Sequence, residues 1–272
     1  MWRTNCPARC RSSTRPRARR RGRCRSRRRR RFLALTRDGS RLLVSHSLTR
    51  GVSMLDARTG RVLEHRPLGR ASILRQTAVL PDGWGVVAHL ISHDEAVPTQ
   101  LDRGWIHSNG ITLFDPARPG HHVTLLLDRP DAGAATPWGV ALGDDGKRLF
   151  VTLAGVHEVA VVDLPKTLRF ARDVAPADAE ALATDVEVMS RRGLAVRVPS
   201  GGEGPRGLAH DAATREVLVA NYFSDTVSVL DDVTGALKAV IPLGPPVEAS
   251  LWRKGEALFN DARICFQGWF AC

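Results

Sequence analysis

Residues 205–244 read PRGLAHDAATREVLVANYFSDTVSVLDDVTGALKAVIPLG, and this stretch decides the fold because the chain repeats its pattern. A second copy at 137–164 is PWGVALGDDGKRLFVTLAGVHEVAVVDL, and a third at 32–69 is FLALTRDGSRLLVSHSLTRGVSMLDARTGRVLEHRPLG. A unit of about 40 residues that holds several short strands cannot bury its own apolar face and must stack against copies of itself. The repetition therefore predicts a modular fold.

Each complete copy divides into four short strands separated by polar turns. The first turn is Asp-Gly or similar, as at Asp38-Gly39 and Asp145-Gly146, because Asp accepts local hydrogen bonds and Gly takes a positive φ. A second strand such as 216–219 and a third strand that ends in Asp, such as 226–231, follow. A Thr-Gly turn introduces the fourth strand. This order predicts an all-β β-propeller with about four four-stranded blades visible in the chain.

Two blades carry extra sequence. The second unit is interrupted near 92–107, and the third is followed by a longer insertion at 170–204. Residues 177–190 within the longer insertion read ADAEALATDVEVMS, which is a helix-forming composition. We therefore predict a short helix on a loop face of the third blade.

The repeat resembles that of the YVTN family of β-propeller proteins. The matching residues are Val219–Tyr222 with Thr226–Asp231, followed by Ala239–Gly244, and the resemblance covers residues 32–244. It implies a propeller of about seven blades. An open half-ring exposes two blade edges, so we expect the missing repeats to belong to a longer parent chain.

Residues 245–272 do not follow the repeat. Gly255–Asp261 reads GEALFND and resembles the start of the haem domain in di-haem cytochrome c peroxidase-like proteins. Cys272 stands where the first cysteine of their Cys-x-x-Cys-His haem attachment site would lie. This resemblance implies a propeller–cytochrome fusion truncated here, with haem c in the parent and Cys272 as the first cysteine of the attachment motif only if the chain continues. The alternative is that Cys265 and Cys272 are ordinary terminal cysteines.

The formal net charge of +12 comes from one segment. Residues 1–31 contain 15 arginines and no acid, while the rest of the chain holds 25 basic and 28 acidic residues. This arm has no apolar run and is predicted to be disordered. Three interpretations stand. The arm could bind nucleic acid, or it could be the basic region of a signal peptide, although the apolar stretch that should follow is missing. The third, which we favour, is that the arm is not native protein and comes from translating a GC-rich gene from a wrong start or frame.

Five residues are candidates for a ligand site at the mouth of the propeller channel. Trp138 and Arg206 occupy the same Pro-x-Gly position of two repeats, while Asn221, Tyr222 and His46 follow second strands. A Trp and an Arg near the axis could hold an anionic or planar ligand. The alternative is that Trp138 only packs between blades.

The histidines of the second unit offer another site. His89, His93, His107, His121 and His122 could bind a metal if the insertion clusters them. Ordinary surface or loop histidines are the preferred interpretation, so no metal site is predicted. No catalytic residue is predicted either, because no acid/base pair converges on the repeats.

These patterns predict a binding or docking scaffold, which in the parent would serve electron transfer or peroxidase-like redox chemistry. The alternatives are a lactonase-like or quinoprotein-dehydrogenase-like enzyme, and a ligand-free extracellular interaction array. The expected partner is a protein or small molecule at the propeller face, with nucleic acid expected only through the arginine-rich arm. No segment is apolar enough to span a membrane, and no signal peptide is visible. The family resemblance implies a periplasmic or extracellular parent.

Overall fold

The structure, a computed structural model, describes residues 30–93, 106–118, 120–245 and 248–271. The predictions for residues 1–29 of the arginine-rich arm and for Cys272 lie outside the described residues. Most of the insertion expected near 92–107 also lies outside them. The predictions that fall in these gaps therefore stay predictions.

The described strands form four antiparallel sheets that follow chain order. Blade 1 consists of β1 Arg30–Leu35, β2 Arg41–His46, β3 Gly51–Asp56 and β4 Val62–Pro67. Blade 2 consists of β5 Ala71–Ser72, β6 Thr77–Val79, β7 Gly85–Ser92, β8 His107–Phe114 and β9 His122–Leu126. Blade 3 consists of β10 Pro137–Gly143, β11 Arg148–Leu153, β12 Glu158–Asp163 and β13 Ala195–Pro199. Blade 4 consists of β14 Pro205–Asp211, β15 Glu216–Asn221, β16 Thr226–Asp231 and β17 Leu237–Pro242.

The first strand of each blade lies innermost. In blade 2 this strand is broken into β5 and β6, which both pair with β7. The inner strands of successive blades contact one another, from β1 to β6, from β6 to β10 and from β10 to β14. Sheets of four strands arranged in this way form a β-propeller. The predicted all-β propeller architecture is therefore confirmed.

Three hydrophobic clusters lie at the three junctions between blades. Leu43 of blade 1 packs with Val87 and Phe114 of blade 2, and Phe150 of blade 3 packs with Val217 of blade 4. The largest cluster joins blades 2 and 3 and also includes residues of the helices that follow β12. Apolar residues that alternate along each strand thus bury both faces of the two middle blades.

The Thr-Gly turns have the same atomic arrangement in blades 1 and 4. Asp56 Oδ1 accepts hydrogen bonds from the backbone N–H of Thr59 at 2.6 Å and from its hydroxyl at 2.7 Å. Asp231 Oδ1 accepts the same two bonds from Thr234, both at 2.9 Å. Gly60 and Gly235 follow with φ of 72° and 74°, a region in which residues with a Cβ are strained. The third strand therefore ends at Asp because this side chain builds the turn.

Blade 3 differs from the prediction. A helix, α1 (Leu164–Asp173), begins directly after β12, with Asp163 accepting a hydrogen bond from the Lys166 N–H as its N-cap. The predicted helical segment forms two short helices, α2 (Ala179–Leu182) and α3 (Val188–Arg191). The expected insertion at 170–204 also contains β13, the fourth strand of the blade. Its sequence was not identified as a strand because only two apolar side chains, Val196 and Val198, alternate there.

The C-terminal segment forms one helix, α4 (Leu251–Phe259), and two 3₁₀ turns, Ala262–Ile264 and Phe266–Gly268. The segment packs back on the propeller, because Ala262 N–H donates to Gly155 O at 2.8 Å and Gly133 N–H donates to Gln267 O at 2.7 Å. No helix among the described residues is long and apolar enough to cross a membrane.

Candidate functional site

Three of the five candidate residues come together at the starting ends of the innermost strands. Trp138 lies at the beginning of β10, Arg206 at the beginning of β14, and Tyr222 directly after β15. The Arg206 guanidinium carbon lies 4.5 Å from the Trp138 ring centroid and 3.9 Å from the Tyr222 ring centroid. The arginine is thus sandwiched between two aromatic rings from neighbouring blades.

Two further arginines extend this arrangement into a stack. At one end, the Arg75 guanidinium carbon lies 3.7 Å from the Trp138 ring centroid. At the opposite end, the Arg253 guanidinium lies 4.3 Å from the Tyr222 ring centroid. We call Arg75, Trp138, Arg206, Tyr222 and Arg253 the arginine–aromatic stack. It links blades 2, 3 and 4 with helix α4 through cation–π contacts, each of which contributes about 0.5–2 kcal/mol depending on exposure.

The Pro-x-Gly sequence positions Arg206. A Cβ atom on Gly139 would lie 2.2 Å from Arg206 O, so the close approach of β10 and β14 requires glycine at this position. Thr152 Oγ1 accepts the Gly139 N–H at 2.7 Å and donates to Arg206 O at 3.1 Å. The backbone at Arg206 is therefore fixed by blade 3, while its side chain extends between the aromatic rings.

The stack carries more positive than negative charge. Among the described residues, Arg206 forms no ion pair, although the charge of Glu256 acts to raise its pKa, and its buried Nε has no hydrogen-bond partner. Burial lowers the pKa of the Arg206 guanidinium from its ordinary value, although it remains charged near neutral pH. Two carboxylates contact Arg253 at the end of the stack. Glu256 accepts from Arg253 Nη1 at 2.8 Å and from the Tyr222 hydroxyl at 3.3 Å, and Asp225 Oδ1 lies 3.9 Å from Arg253 Nη2. This environment favours an anionic group beside Arg206.

Asn221 does not contribute its side chain to the stack. It is 2 % exposed, and its Nδ2 donates to Ser228 Oγ at 2.8 Å and to Thr226 Oγ1 at 3.0 Å. These bonds hold the turn that carries Tyr222. Asn221 therefore positions the turn, and its predicted contact with a ligand stays a prediction.

His46 lies in a different part of the molecule from the stack. Its Nε2 is 2.9 Å from Ser53 Oγ, which in turn is 3.0 Å from His65 Nδ1. The strand register places these three residues on the face of blade 1 opposite to the one that packs on blade 2. The structure thus brings together three of the five candidates.

Sequence reasoning missed Arg75 and Arg253. Arg75 lies just before the inner strand β6, near the position that Pro137 and Pro205 hold at the start of the inner strands of the next two blades. It lacks the Pro-x-Gly sequence that marks those two positions. Aligning the inner strands of all four repeats could have identified it. Arg253 lies in the C-terminal segment, whose contact with blade 4 depends on tertiary packing that no local pattern encodes.

The structure also locates the histidines of blade 2. No group of three or more metal-ligating side chains occurs in the part of the chain that the structure describes. His89 is 1 % exposed, so it is neither a surface nor a loop histidine as preferred above, because β7 runs through the centre of the blade. Its two ring nitrogens contact Leu90 O and Thr112 Oγ1.

Comparison with known proteins finds a similar sequence and a similar solved structure. The chain is similar to the beta subunit of a hydrazine synthase. It is 28% identical over 205 residues to the subunit from Kuenenia stuttgartiensis, covering 74% of this chain and 53% of the relative. A chain of the solved Kuenenia stuttgartiensis hydrazine synthase superposes with a TM-score of 0.67 at 27% identity, over 74% of this chain and 58% of that chain.

The similarity supports the propeller fold, but it does not test the assignment to the YVTN family or the cytochrome domain. The chain spans about half the length of the relative that it matches. No family model matches the chain, so the resemblance to the YVTN family stays a prediction. The start of a cytochrome domain at Gly255–Asp261 also stays a prediction.

Proposed function

We propose that this protein is a β-propeller docking scaffold that binds an acidic segment of a partner protein at the arginine–aromatic stack. The observation that carries the proposal is the Arg206 guanidinium, which lies between Trp138 and Tyr222 without a carboxylate partner among the described residues. A carboxylate of the partner would supply the missing charge. Arg, Trp and Tyr are also the residue types that contribute most to the binding energy of protein interfaces.

The surface beside the stack supports a protein partner. Helix α4, which places Arg253 on Tyr222, leaves Leu251 85%, Trp252 74% and Phe259 60% exposed. Large apolar side chains that cluster on a surface are typical of protein contact sites. An acidic and apolar segment could therefore place its carboxylates on the arginines and its apolar side chains on α4.

The similarity to a hydrazine synthase subunit favours a role in a redox assembly. We propose the same role for the present chain. We further propose that its parent protein is exported and contains haem. Attachment of haem c requires two cysteine thioethers and an axial histidine. Cys265 is the one cysteine among the described residues, which therefore do not hold the pair of thiols that this attachment requires.

The enzyme alternative has less support. The stack has two carboxylate contacts among the described residues: Glu256 is engaged by Arg253 and the Tyr222 hydroxyl, and Asp225 pairs with Arg253. A general acid or base must reach the proton that it transfers. A lactonase-like or quinoprotein-dehydrogenase-like activity would need groups beyond those that converge in the stack.

The proposal is tested with a fluorescein-labelled peptide of alternating glutamate and leucine residues. Fluorescence anisotropy would compare the chain with Arg206→Met, which removes the charge and keeps the length of the side chain. We expect at least a tenfold loss of affinity, because charge-assisted hydrogen bonds at a partly buried site contribute about 1.5–3 kcal/mol. Binding to the unmodified chain should weaken as salt increases.

The matched control is Arg191→Met. Arg191 is the last residue of α3, has the same charge, and pairs with Asp185 and Glu187 at an exposed site outside the stack. If both variants lower the affinity equally, binding reflects net charge alone and the stack is not the docking site. A Trp252→Ala variant should lose affinity without changing the salt dependence.

A further inference from the structure

A cavity of about 360 Å³ lies between blades 1 and 2, outside the arginine–aromatic stack. Buried apolar side chains form its floor: Leu68 and Ala71 from the stretch that follows β4, and Ile91 from β7. Helix α2 packs against β9, so that Ala183 at the end of this helix closes one side of the cavity. The volume falls in the range of about 300–1,000 Å³ that is typical of small-molecule sites.

The buried polar side chains of the cavity wall give their hydrogens to the protein itself. Burial lowers the pKa of His89 from 6.5 to about 4, so its ring is neutral at pH 7. Nδ1 must donate to Leu90 O at 2.8 Å, since a carbonyl can only accept. Nε2 then accepts from the Thr112 hydroxyl at 2.6 Å, and Thr112 accepts from the Thr124 hydroxyl at 2.7 Å. His89 and Thr124 both line the cavity, and neither has a hydrogen left to donate to a ligand.

His122 supplies an acceptor that the protein does not satisfy. It is the half-buried first residue of β9, and it lies on the same face of the blade as Thr124 because side chains alternate along a strand. Its neighbour His121 instead packs its ring edge-on against Trp84, on the opposite face of blade 2. Burial lowers the pKa of His122, which favours its neutral form. Nδ1 then donates to Gly120 O at 3.1 Å, and Nε2 is left as an acceptor without a partner among the described residues.

The charges at the mouth of the cavity balance. Arg70 and Glu180 are exposed residues of the lining, and their charged groups lie 3.8 Å apart. The neutral rings of His89 and His122 add no charge further in. The interior therefore offers acceptors without a net charge, which suits a neutral ligand that brings a hydrogen-bond donor.

We infer that this cavity binds a neutral small molecule with an apolar body and one hydroxyl group, which donates its hydrogen to His122 Nε2. The apolar body would lie against Leu68, Ala71 and Ile91. A carboxylate would set its lone pairs against the lone pair of Nε2, and an ammonium group would bring a second positive charge to Arg70. This site is separate from the proposed docking surface and its test does not depend on it.

Phenol is the probe, and anisole, in which a methyl group replaces the hydroxyl hydrogen, is its matched partner. Isothermal titration calorimetry of the full chain measures both affinities. His122→Phe keeps an aromatic ring and removes the acceptor, so the ratio of phenol affinity to anisole affinity should fall about fivefold to tenfold, in line with the net contribution of one hydrogen bond. Ala183→Phe fills the cavity and should weaken the binding of both ligands by about fivefold or more.

The matched control is His121→Phe, which makes the same exchange one residue earlier but on the opposite face of blade 2, and it should leave both affinities unchanged. The thermal unfolding midpoint checks the fold of each variant, and Ala183→Phe still tests the cavity if His122→Phe does not fold. The inference is overturned if phenol does not bind, if Ala183→Phe binds it as the unmodified chain does, or if His122→Phe keeps the affinity ratio. Equal losses in His121→Phe and His122→Phe, or tighter binding of benzoate than of phenol, would also overturn it.

Discussion

Asp128 shows how a single buried group makes the stability of this propeller depend on pH. It is 1 % exposed, and its carboxylate accepts hydrogen bonds from Asn109 N–H and Ala134 N–H, both at 2.6 Å. Asn109 Nδ2 also donates to it at 3.0 Å and to Trp269 O at 2.9 Å. The carboxylate thus ties blade 2 to the C-terminal segment, at the cost of desolvating a charge.

Burial raises the pKa of Asp128 from 3.8 to about 6 in the folded protein. Between these values the folded state holds a proton that the unfolded chain has released. The contribution of Asp128 to the free energy of unfolding therefore falls as pH rises through this window, by on the order of 3 kcal/mol. Urea unfolding between pH 4 and 7 should show this fall as a difference between the unmodified chain and Asp128→Asn, since the rise in stability that the buried His89 contributes over the same range is common to both chains. The control Asp131→Asn alters an exposed carboxylate, and equal pH slopes for all three chains would contradict the prediction.

At the scale of elements, the C-terminal segment is held by close backbone contacts. A Cβ atom on Gly133 would lie 2.4 Å from Trp269 Cα and 2.5 Å from Gly268 O. Gly133→Ala should therefore displace the segment and destabilise its docking by about 1–3 kcal/mol, the usual cost of overpacking. Limited trypsin digestion should cleave faster at Arg263 in this variant.

The control for the Gly133 variant is Gly255→Ala. Gly255 lies within α4, and an added Cβ atom would have no neighbour within 4 Å. Because alanine favours helix over glycine by about 0.5–1 kcal/mol, this variant should be cleaved no faster than the unmodified chain. If Gly133→Ala and Gly255→Ala are digested alike, the segment does not depend on the contact at Gly133.

The elements also show what the sequence can predict. The turns at Asp56 and Asp231 were identifiable because the residues that build them lie within three or four positions of each other. The strands beside them follow from local alternation. β13 was missed because few apolar residues mark it, and the docking of α4 was missed because it depends on contacts with blades distant in sequence. Within the stack, Trp138 and Arg206 share a repeat position, whereas Arg75 and Arg253 have no such local signal.

At the scale of the whole molecule, the four blades are not equally supported. Blades 2 and 3 pack on both faces, whereas blade 1 packs on blade 2 alone and blade 4 on blade 3 alone among the described residues. Leu33 and Leu35 of β1 are 60% and 56% exposed on the unsupported face of blade 1, and Ile241 of β17 is 49% exposed on blade 4. In stacked repeats, stability is approximately a sum of the repeats and their interfaces.

We therefore expect hydrogen exchange in this chain to be slowest in the middle blades. Peptides from β11 and β12 should exchange more slowly than peptides from β2 and β3 or from β15 and β16, because opening a middle blade breaks two interfaces and opening a terminal blade breaks one. Mass spectrometry of the native chain over minutes to hours measures this order. The strand lengths and hydrogen-bond patterns of blades 3 and 4 are nearly the same, so β11–β12 and β15–β16 form a matched comparison. Uniform protection across the four blades would mean that they unfold as one cooperative unit and that the interfaces do not limit opening.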